Sequence, residues 1–191
     1  MQSKSGSQRL FCAVEIPESA KVLIAEASKG FSAHGIAFVQ SNNIHLTLLF
    51  LGDVANDSIA SIRSKLKLVR FNGFDVRLIG FDTFSKTKPG VVFCRVAGGK
   101  DELGSLRGKI IAALGDIPIS GMDKGGFSAH ATIARIRRLD TDSAQNLGAF
   151  LDKNKNTELG TFRVSSFVLK SSALTGEGPI YSDVETFNAE R

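Results

Sequence analysis

Two histidines of the chain stand in the same short pattern, and both could move protons. His45 is followed two residues later by Thr47, and His130 is followed two residues later by Thr132. Each pattern lies in an apolar, strand-like run, where alternate side chains point to the same face of a sheet. The sequence therefore places an imidazole and a hydroxyl side by side, about 7 Å apart along each strand.

An imidazole and a hydroxyl on one face suit the chemistry of phosphate esters. Imidazole has an unperturbed pKa of about 6.5, so near neutral pH one ring can accept a proton while another donates one. Hydroxyl groups can donate hydrogen bonds to phosphoryl oxygens as negative charge develops on them. The structural alternative is that both histidines are half-buried strand residues bonded to neighbouring hydroxyls. The third histidine, His34, lies in a loop sequence, and we assign it no role.

The wider sequence resembles the two-histidine (2H) phosphoesterase superfamily, and within it the RNA 2′,3′-cyclic phosphodiesterases, also called RNA 2′,5′-ligases. The resemblance runs from about Arg9 to Phe187. Its motifs are the opening run 9–17, the His-x-Thr segments 43–52 and 130–135, and the closing segments 167–174 and 178–181. One departure is Ala129, where the family usually has proline before the second histidine; this change removes no chemical group.

The resemblance implies distinct roles for the two histidines. His45 is expected to act as the general acid that protonates the leaving 3′ oxygen, and His130 as the general base that deprotonates water. RNA ending in a 2′,3′-cyclic phosphate would then be hydrolysed to a 2′-phosphate. Thr47 and Thr132 are expected to bind the phosphoryl oxygens beside the histidines.

Two further substrate-binding residues are implied by position. Arg135 matches the arginine that follows the family's second motif, and Phe11 matches a position near the nucleobase. By strict alternation Arg135 faces away from His130, so it reaches the site only if the strand ends or bulges there. The alternatives are a surface arginine and a core aromatic residue.

Composition and charge are consistent with one globular, RNA-binding domain. The 191 residues are 42% hydrophobic, enough for one compact domain or two intimately packed lobes, and we expect residues 1–8 to form a flexible extension. The net charge of +5 suits RNA as a polyanionic partner. No run is long enough to cross a membrane, and the N-terminus lacks the apolar core of a secretory signal. Cys12 and Cys94 lie in apolar runs, which favours a reduced, cytoplasmic setting, and we expect a monomer.

The pattern of apolar residues predicts an α+β fold, in which two similar lobes of antiparallel or mixed sheet, with outer helices, enclose a central cleft. The lobes and the cleft are implied by the resemblance rather than by periodicity. Strands are predicted at 10–15, 37–40, 74–84, 91–96, 161–169 and 180–187, in addition to the two motif strands. Helices are predicted to open at Pro17–Glu18, Asp57–Ser58, Asp101 and Thr141, the first ending near Gly30 with Lys21 on its solvent side, and a hairpin loop is predicted at 86–90.

Three other functions remain open on the sequence alone. The same site run in reverse would be a 2′,5′ RNA ligase. A module that binds RNA without turnover would explain the basic charge but not the paired motifs. A metal-dependent hydrolase could use His45 and His130 as ligands, but no Asp, Glu or Cys cluster lies near either motif, so we expect neither a metal nor another cofactor.

Overall fold

The computed structural model describes residues 6–29, 31–85, 87–119, 121–123, 125–176 and 178–190. The elements, in chain order, are β1 (Ser7–Glu15), α1 (Glu18–Ser28), β2 (Ile36–Phe38), a 3-10 turn (Ser41–Asn43), β3 (His45–Ala55), α2 (Asn56–Leu66), β4 (Phe74–Asp82), β5 (Val91–Gly98), α3 (Lys100–Ala113), β6 (His130–Ile136), α4 (Thr141–Lys153), β7 (Glu158–Val164), β8 (Ser166–Thr175) and β9 (Gly178–Asn188). The expected helix end at Gly30, Lys86 of the predicted hairpin loop and residues 1–5 of the expected extension lie outside the described residues.

The strands form one large sheet in the order β7-β4-β5-β6-β3-β1-β8-β9, with β2 also paired to β6. Neighbouring strands are antiparallel throughout, so the predicted α+β class is confirmed. The sheet has two halves, which meet where Leu46 of β3 lies opposite Ala131 of β6. Each half therefore contains one His-x-Thr strand, and we call the meeting point of β3 and β6 the seam.

The helices cover one face of the sheet, and this arrangement leaves the other face available for a site. Buried helix residues such as Ile62 and Leu106 share one core with Leu10 and Val14 of β1. Their spacing along each helix gives the apolar stripe that packs on a sheet. Phe11, which alternates with Leu10 in β1, is 2% exposed yet lies outside that core. Phe11 therefore belongs to the opposite face, where the histidines lie.

Several element boundaries differ from the sequence predictions. The predicted strand 161–169 is two strands: β7 pairs with β4, whereas β8 pairs with β1 and β9. β1 begins at Ser7, within the expected extension, because it pairs with the far end of β3. The predicted start of α2 at Asp57–Ser58 is wrong, since this helix begins at Asn56 without a side-chain cap. Asp140, rather than Thr141, caps α4 by accepting a hydrogen bond from the Ser143 backbone N–H at 2.8 Å.

The two cysteines of the chain are core residues. Cys12 and Cys94 are both buried in the core, and burial raises the pKa of Cys12 to about 12. Both thiols are therefore kept in the neutral, unreactive form. In the part of the chain that the structure describes, none of the helices is long and apolar enough to cross a membrane.

Candidate active site

The seam brings the two His-x-Thr motifs together. Leu46 lies opposite Ala131, so counting one residue outward in an antiparallel pair places His45 opposite Thr132 and Thr47 opposite His130. Leu46 and Ala131 point into the core, with exposed fractions of 1% and 0%. The four motif side chains therefore share the other face. The two histidines are diagonal neighbours, for which Cα separations of about 7–8 Å are typical.

Each imidazole is oriented by the main chain two residues before it. His45 Nδ1 lies 2.8 Å from the carbonyl oxygen of Asn43, and His130 Nδ1 lies 2.7 Å from the carbonyl oxygen of Ser128. A carbonyl can only accept, so Nδ1 must donate in both rings, and Nε2 is the atom left for chemistry. His45 Nε2 lies 3.0 Å from Thr47 Oγ1, and in the neutral ring it accepts the hydroxyl hydrogen.

Each imidazole also packs against two aromatic rings. The His45 ring centroid is 5.0 Å from that of Phe11 and 5.3 Å from that of Tyr181. The His130 ring centroid is 4.8 Å from that of Phe84 and 5.3 Å from that of Phe93. These contacts help to hold both rings in position.

The environment of His45 disfavours its charged form. Burial is the main cause, and it lowers the pKa of His45 from 6.5 to about 4. The Asn43 carbonyl and the Glu15 carboxylate oppose this shift, whereas the positive charges of Lys170 and Lys21 add to it. In the free protein, His45 is therefore neutral at pH 7.

The depressed pKa of His45 predicts a pH dependence of stability. Between about pH 4 and 6.5 the unfolded chain binds more protons than the folded chain, so the free energy of unfolding rises with pH across this window. A shift of this size corresponds to roughly 3 kcal/mol, lost as the pH falls through the window. Urea unfolding from pH 4 to 7 should show a smaller rise in His45→Gln than in the wild type.

His34→Gln is the matched control for this measurement, because His34 is an exposed loop residue outside the site. It should keep the pH dependence of the wild type. An unchanged pH dependence in His45→Gln would contradict the assignment of the shift to His45.

A buried lysine, Lys170, lies beside His45 and is paired with two carboxylates. Lys170 Nζ lies 2.5 Å from Glu15 Oε1 and 2.5 Å from Asp183 Oδ1, and Glu15 is paired with His45 in the β1–β3 register. Burial opposes the charge of Lys170, but the two carboxylates outweigh it and raise its pKa. Lys21, predicted to face solvent, is 8% exposed and lies 4.0 Å from Glu15. The prediction that Lys21 faces solvent is wrong, because its side chain lies against the Glu15 carboxylate.

Bulges change the direction of the residues that follow each motif. In β6, Thr132 pairs with Phe93 while Ala134 pairs with Val92, so Ile133 is an extra residue. Because both Ile133 and Ala134 are buried, alternation resumes with Arg135 exposed on the face that carries His130. The bulge at Ile133 therefore turns Arg135 toward the site, which strict alternation would not do.

The first motif has the same irregularity. Thr47 pairs with Ala13 and Leu49 pairs with Cys12, so Leu48 is the extra residue in β3. Phe50 then emerges on the site face, 51% exposed, with its ring centroid 6.0 Å from that of Phe11. Two adjacent apolar residues after each His-x-Thr motif break the alternation, and this signal in the sequence could have indicated both bulges.

A cavity of about 400 Å³ opens beside His45, and we call it the inner pocket. Phe11 and Arg135, the two substrate-binding residues suggested by the resemblance, both line it. Its remaining lining residues are Arg9, Phe50, Ser172, Leu174, Pro179 and Tyr181. The pocket therefore combines aromatic walls with two guanidinium groups, which suits a nucleoside attached to a phosphate.

Asn43 connects His45 to the hairpin formed by β8 and β9. Its carbonyl accepts from His45 Nδ1, while its side-chain Nδ2 donates to the carbonyl oxygen of Pro179 at 2.9 Å. Pro179 lies two residues before Tyr181, whose ring packs on His45. Sequence reasoning assigned no role to Asn43 or Tyr181, because this contact depends on how β8 and β9 fold over the site.

Comparisons with known proteins show which family this chain belongs to. The family model described as LigT-like phosphoesterase matches residues 10–93, which include the first His-x-Thr motif. A relative from Archaeoglobus fulgidus, named RNA 2′,3′-cyclic phosphodiesterase, is 33% identical over 94% of this chain and 99% of its own length. A relative of the same name from Aeropyrum pernix is 37% identical over 75% of this chain and 80% of its own length.

Solved structures show the same fold. Apo LigT of E. coli has a TM-score of 0.77 at 20% identity, and the match covers 98% of this chain and 100% of the LigT chain. TT0787 of Thermus thermophilus has a TM-score of 0.76 at 27% identity, covering 94% of this chain and 97% of that one. The chain belongs to the LigT-like phosphoesterase family, and the predicted relationship to the 2H phosphoesterases is confirmed.

Proposed function

We propose that this protein hydrolyses 2′,3′-cyclic phosphate ends of RNA to 2′-phosphates, with His45 and His130 as the two proton-transfer groups. The observation that carries the proposal is the placement of both His-x-Thr motifs on one face at the seam. The substrate class rests on the names of the relatives, which are RNA 2′,3′-cyclic phosphodiesterases.

The proposed reaction places the cyclic phosphate between the two imidazoles. His130 Nε2 takes a proton from water as the water oxygen attacks phosphorus. The bond to the 3′ oxygen breaks on the opposite side, and His45 gives that oxygen a proton. Thr47 and Thr132 donate hydrogen bonds to the phosphoryl oxygens that gain charge in the transition state. The acid and base assignments follow the resemblance.

The acid role of His45 requires that substrate binding change its protonation. A pKa of about 4 keeps the free ring neutral, but a phosphodiester anion beside it favours the charged form. Once Nε2 carries a proton it no longer accepts from Thr47. The Thr47 hydroxyl, 3.0 Å away in the free protein, is then released to donate to a phosphoryl oxygen. Proton uptake and phosphate binding are thereby coupled.

The inner pocket is proposed to hold the terminal nucleoside. Phe50 and Tyr181 would contact its base and ribose, and Arg135 would neutralise the phosphate. Phe11 is almost fully buried, so it acts mainly by supporting the rings of His45 and Tyr181.

The unit of function is proposed to be a single chain. Both motifs come from one sheet, so residues 1–191 would act as a monomeric, two-lobed domain. Its proposed location is the cytoplasm, where Cys12 and Cys94 would stay reduced.

Product analysis tests the proposal. A short RNA with a 2′,3′-cyclic phosphate should yield the 2′-phosphate alone, as measured by phosphorus NMR, because only the 3′ oxygen faces the acid. A 3′-phosphate or a mixture of products would overturn the assigned polarity of His45 and His130. Binding without turnover would favour the RNA-binding module.

The same assay with exhaustive chelation tests the metal alternative. Within the described residues, no three His, Cys, Asp or Glu side chains are clustered as metal ligands. Turnover is therefore expected to persist in chelator. Activity that is lost with chelator and restored by one divalent ion would favour a metal-dependent hydrolase. Adding an RNA with a free 5′ hydroxyl tests the reverse reaction, 2′,5′ ligation.

A further inference from the structure

A second cavity of about 330 Å³ continues the inner pocket, and we call it the outer groove. It lies between β2 and the β8–β9 hairpin, and Arg135, Pro179 and Tyr181 line both cavities. Asn43 borders it near His45, and Gln40, Arg137, Thr175 and Ile180, among others, border the rest. The two cavities therefore adjoin along Arg135, Pro179 and Tyr181, and together we call them the path that leads outward from the inner pocket.

Within the described part of the chain, the charged residues that line this path are all arginines. Arg135 and Arg137 are exposed, and neither has an ion pair with any residue that the structure describes. Among the described residues that line the inner pocket and the outer groove, none is Asp or Glu. Arg9, at the inner end of the path, forms an ion pair with Asp53, with Nε 3.3 Å from Oδ1. A polyanionic ligand would meet no carboxylate among these lining residues.

The other two large cavities near the site differ in this respect. The cavity of about 950 Å³ beside β4, β5 and α3 is lined by Asp82 and Asp101 as well as by Arg95 and Lys100. The cavity of about 610 Å³ near α4, which Arg137 also borders from its other side, includes Asp140 and Asp152. Charge complementarity to a phosphate chain therefore favours the outer groove.

The outer groove also offers contacts for nucleobases and sugars. Ile180 is 58% exposed, so it presents an apolar surface at the rim. The side chains of Gln40, Asn43 and Thr175 supply polar groups along the same cavity. Cations that follow a backbone, together with apolar surfaces for bases, are what single-stranded nucleic acid sites combine.

We propose that the outer groove binds the nucleotides that precede the cyclic terminus of the RNA, with Arg137 on the phosphate that joins them to the last nucleoside. The proposal rests on the function proposed above. A cyclic phosphate occupies the 2′ and 3′ oxygens of the last ribose, so the rest of the strand must leave through the 5′ oxygen. With that ribose in the inner pocket beside His45, the strand continues into the outer groove. The enzyme would thereby prefer an RNA strand to a cyclic mononucleotide.

The test compares two substrates that differ only in the preceding strand. These are a 2′,3′-cyclic mononucleotide and a six-nucleotide RNA that ends in the same cyclic nucleotide. Arg137→Gln should lower kcat/KM for the RNA about tenfold, through KM, and leave the mononucleotide within about twofold of wild type. The dependence of log(kcat/KM) on log salt for the RNA should weaken by about 0.7, one phosphate contact on a single strand.

Arg138→Gln is the matched control, since it removes the same charge from the next residue, which does not line the outer groove. It should behave as wild type with both substrates. A second pair of variants places a new negative charge on β9. Ile180→Glu lies in the outer groove and should weaken RNA turnover, whereas Ser182→Glu lies outside it and should not.

The outcomes separate the two proposals. No turnover of either substrate by the wild type would be a failure of the proposed function, and fluorescence anisotropy with the six-nucleotide RNA would then test the groove through the same four variants. RNA turnover or binding that Arg137→Gln and Ile180→Glu leave unchanged would overturn the groove. Equal losses with both substrates would also overturn it, because they would place Arg137 in the reaction site.

Discussion

Replacing His45 or His130 with alanine should lower kcat for a cyclic phosphate substrate by about 10²- to 10⁴-fold, the usual contribution of one proton-transfer group. Each imidazole has its Nδ1 held by a backbone carbonyl, which leaves Nε2 for the proton. Because the rings also pack on aromatic neighbours, glutamine variants should be measured beside alanine variants. Steady-state kinetics on a cyclic mononucleotide provides the measurement, with thermal unfolding as the check on folding.

His34→Ala serves as the control, because it removes an exposed imidazole of the same chain. It should keep full activity. Folded variants of His45 or His130 with rates close to wild type would remove that histidine from the chemistry and return it to a structural role.

Replacing Thr47 or Thr132 with valine should lower kcat on the order of 10²-fold, the effect of losing one donor in a preorganised site. Valine keeps the shape of threonine, and both side chains lie on the partly exposed site face. The loss should therefore appear in turnover, while the midpoint of urea unfolding changes little. Thr47→Val also removes the hydroxyl that lies 3.0 Å from His45 Nε2.

Thr161→Val is a suitable control for both threonine variants, since Thr161 is exposed on β7, at the far edge of the sheet. Normal binding and turnover in Thr47→Val and Thr132→Val would show that these hydroxyls are structural only.

The shared face of the histidine and the threonine in each motif could be predicted, because strand alternation depends only on local sequence. The spacing of His45 and Thr47 is enough to put them on one face of any strand. Their meeting with His130 could not be predicted in this way, since the pairing of β3 with β6 joins distant parts of the chain. The expectation that the two motifs meet rests on the resemblance to the family and not on the periodicity.

Residues near the motifs were harder to place, for two physical reasons. Alternation fails at a bulge, so the direction of Arg135 depends on the extra residue Ile133 in β6. Burial of a charged group depends on tertiary partners, so Lys170 and Lys21 could not be recognised as parts of the cluster around Glu15. The division of the strand 161–169 likewise follows from the different partners of β7 and β8.

The seam has a consequence for how the protein would lose activity. Each imidazole is held by its own half of the sheet, and the halves meet at Leu46 and Ala131, directly beneath the site. Their spacing is thus a property of the contact between the halves and not of either half. A molecule in which the halves part slightly, while each stays folded, would keep its secondary structure but separate the two proposed proton-transfer groups, His45 and His130. Catalysis would then report the integrity of the packing between the halves before spectroscopic signals of unfolding change.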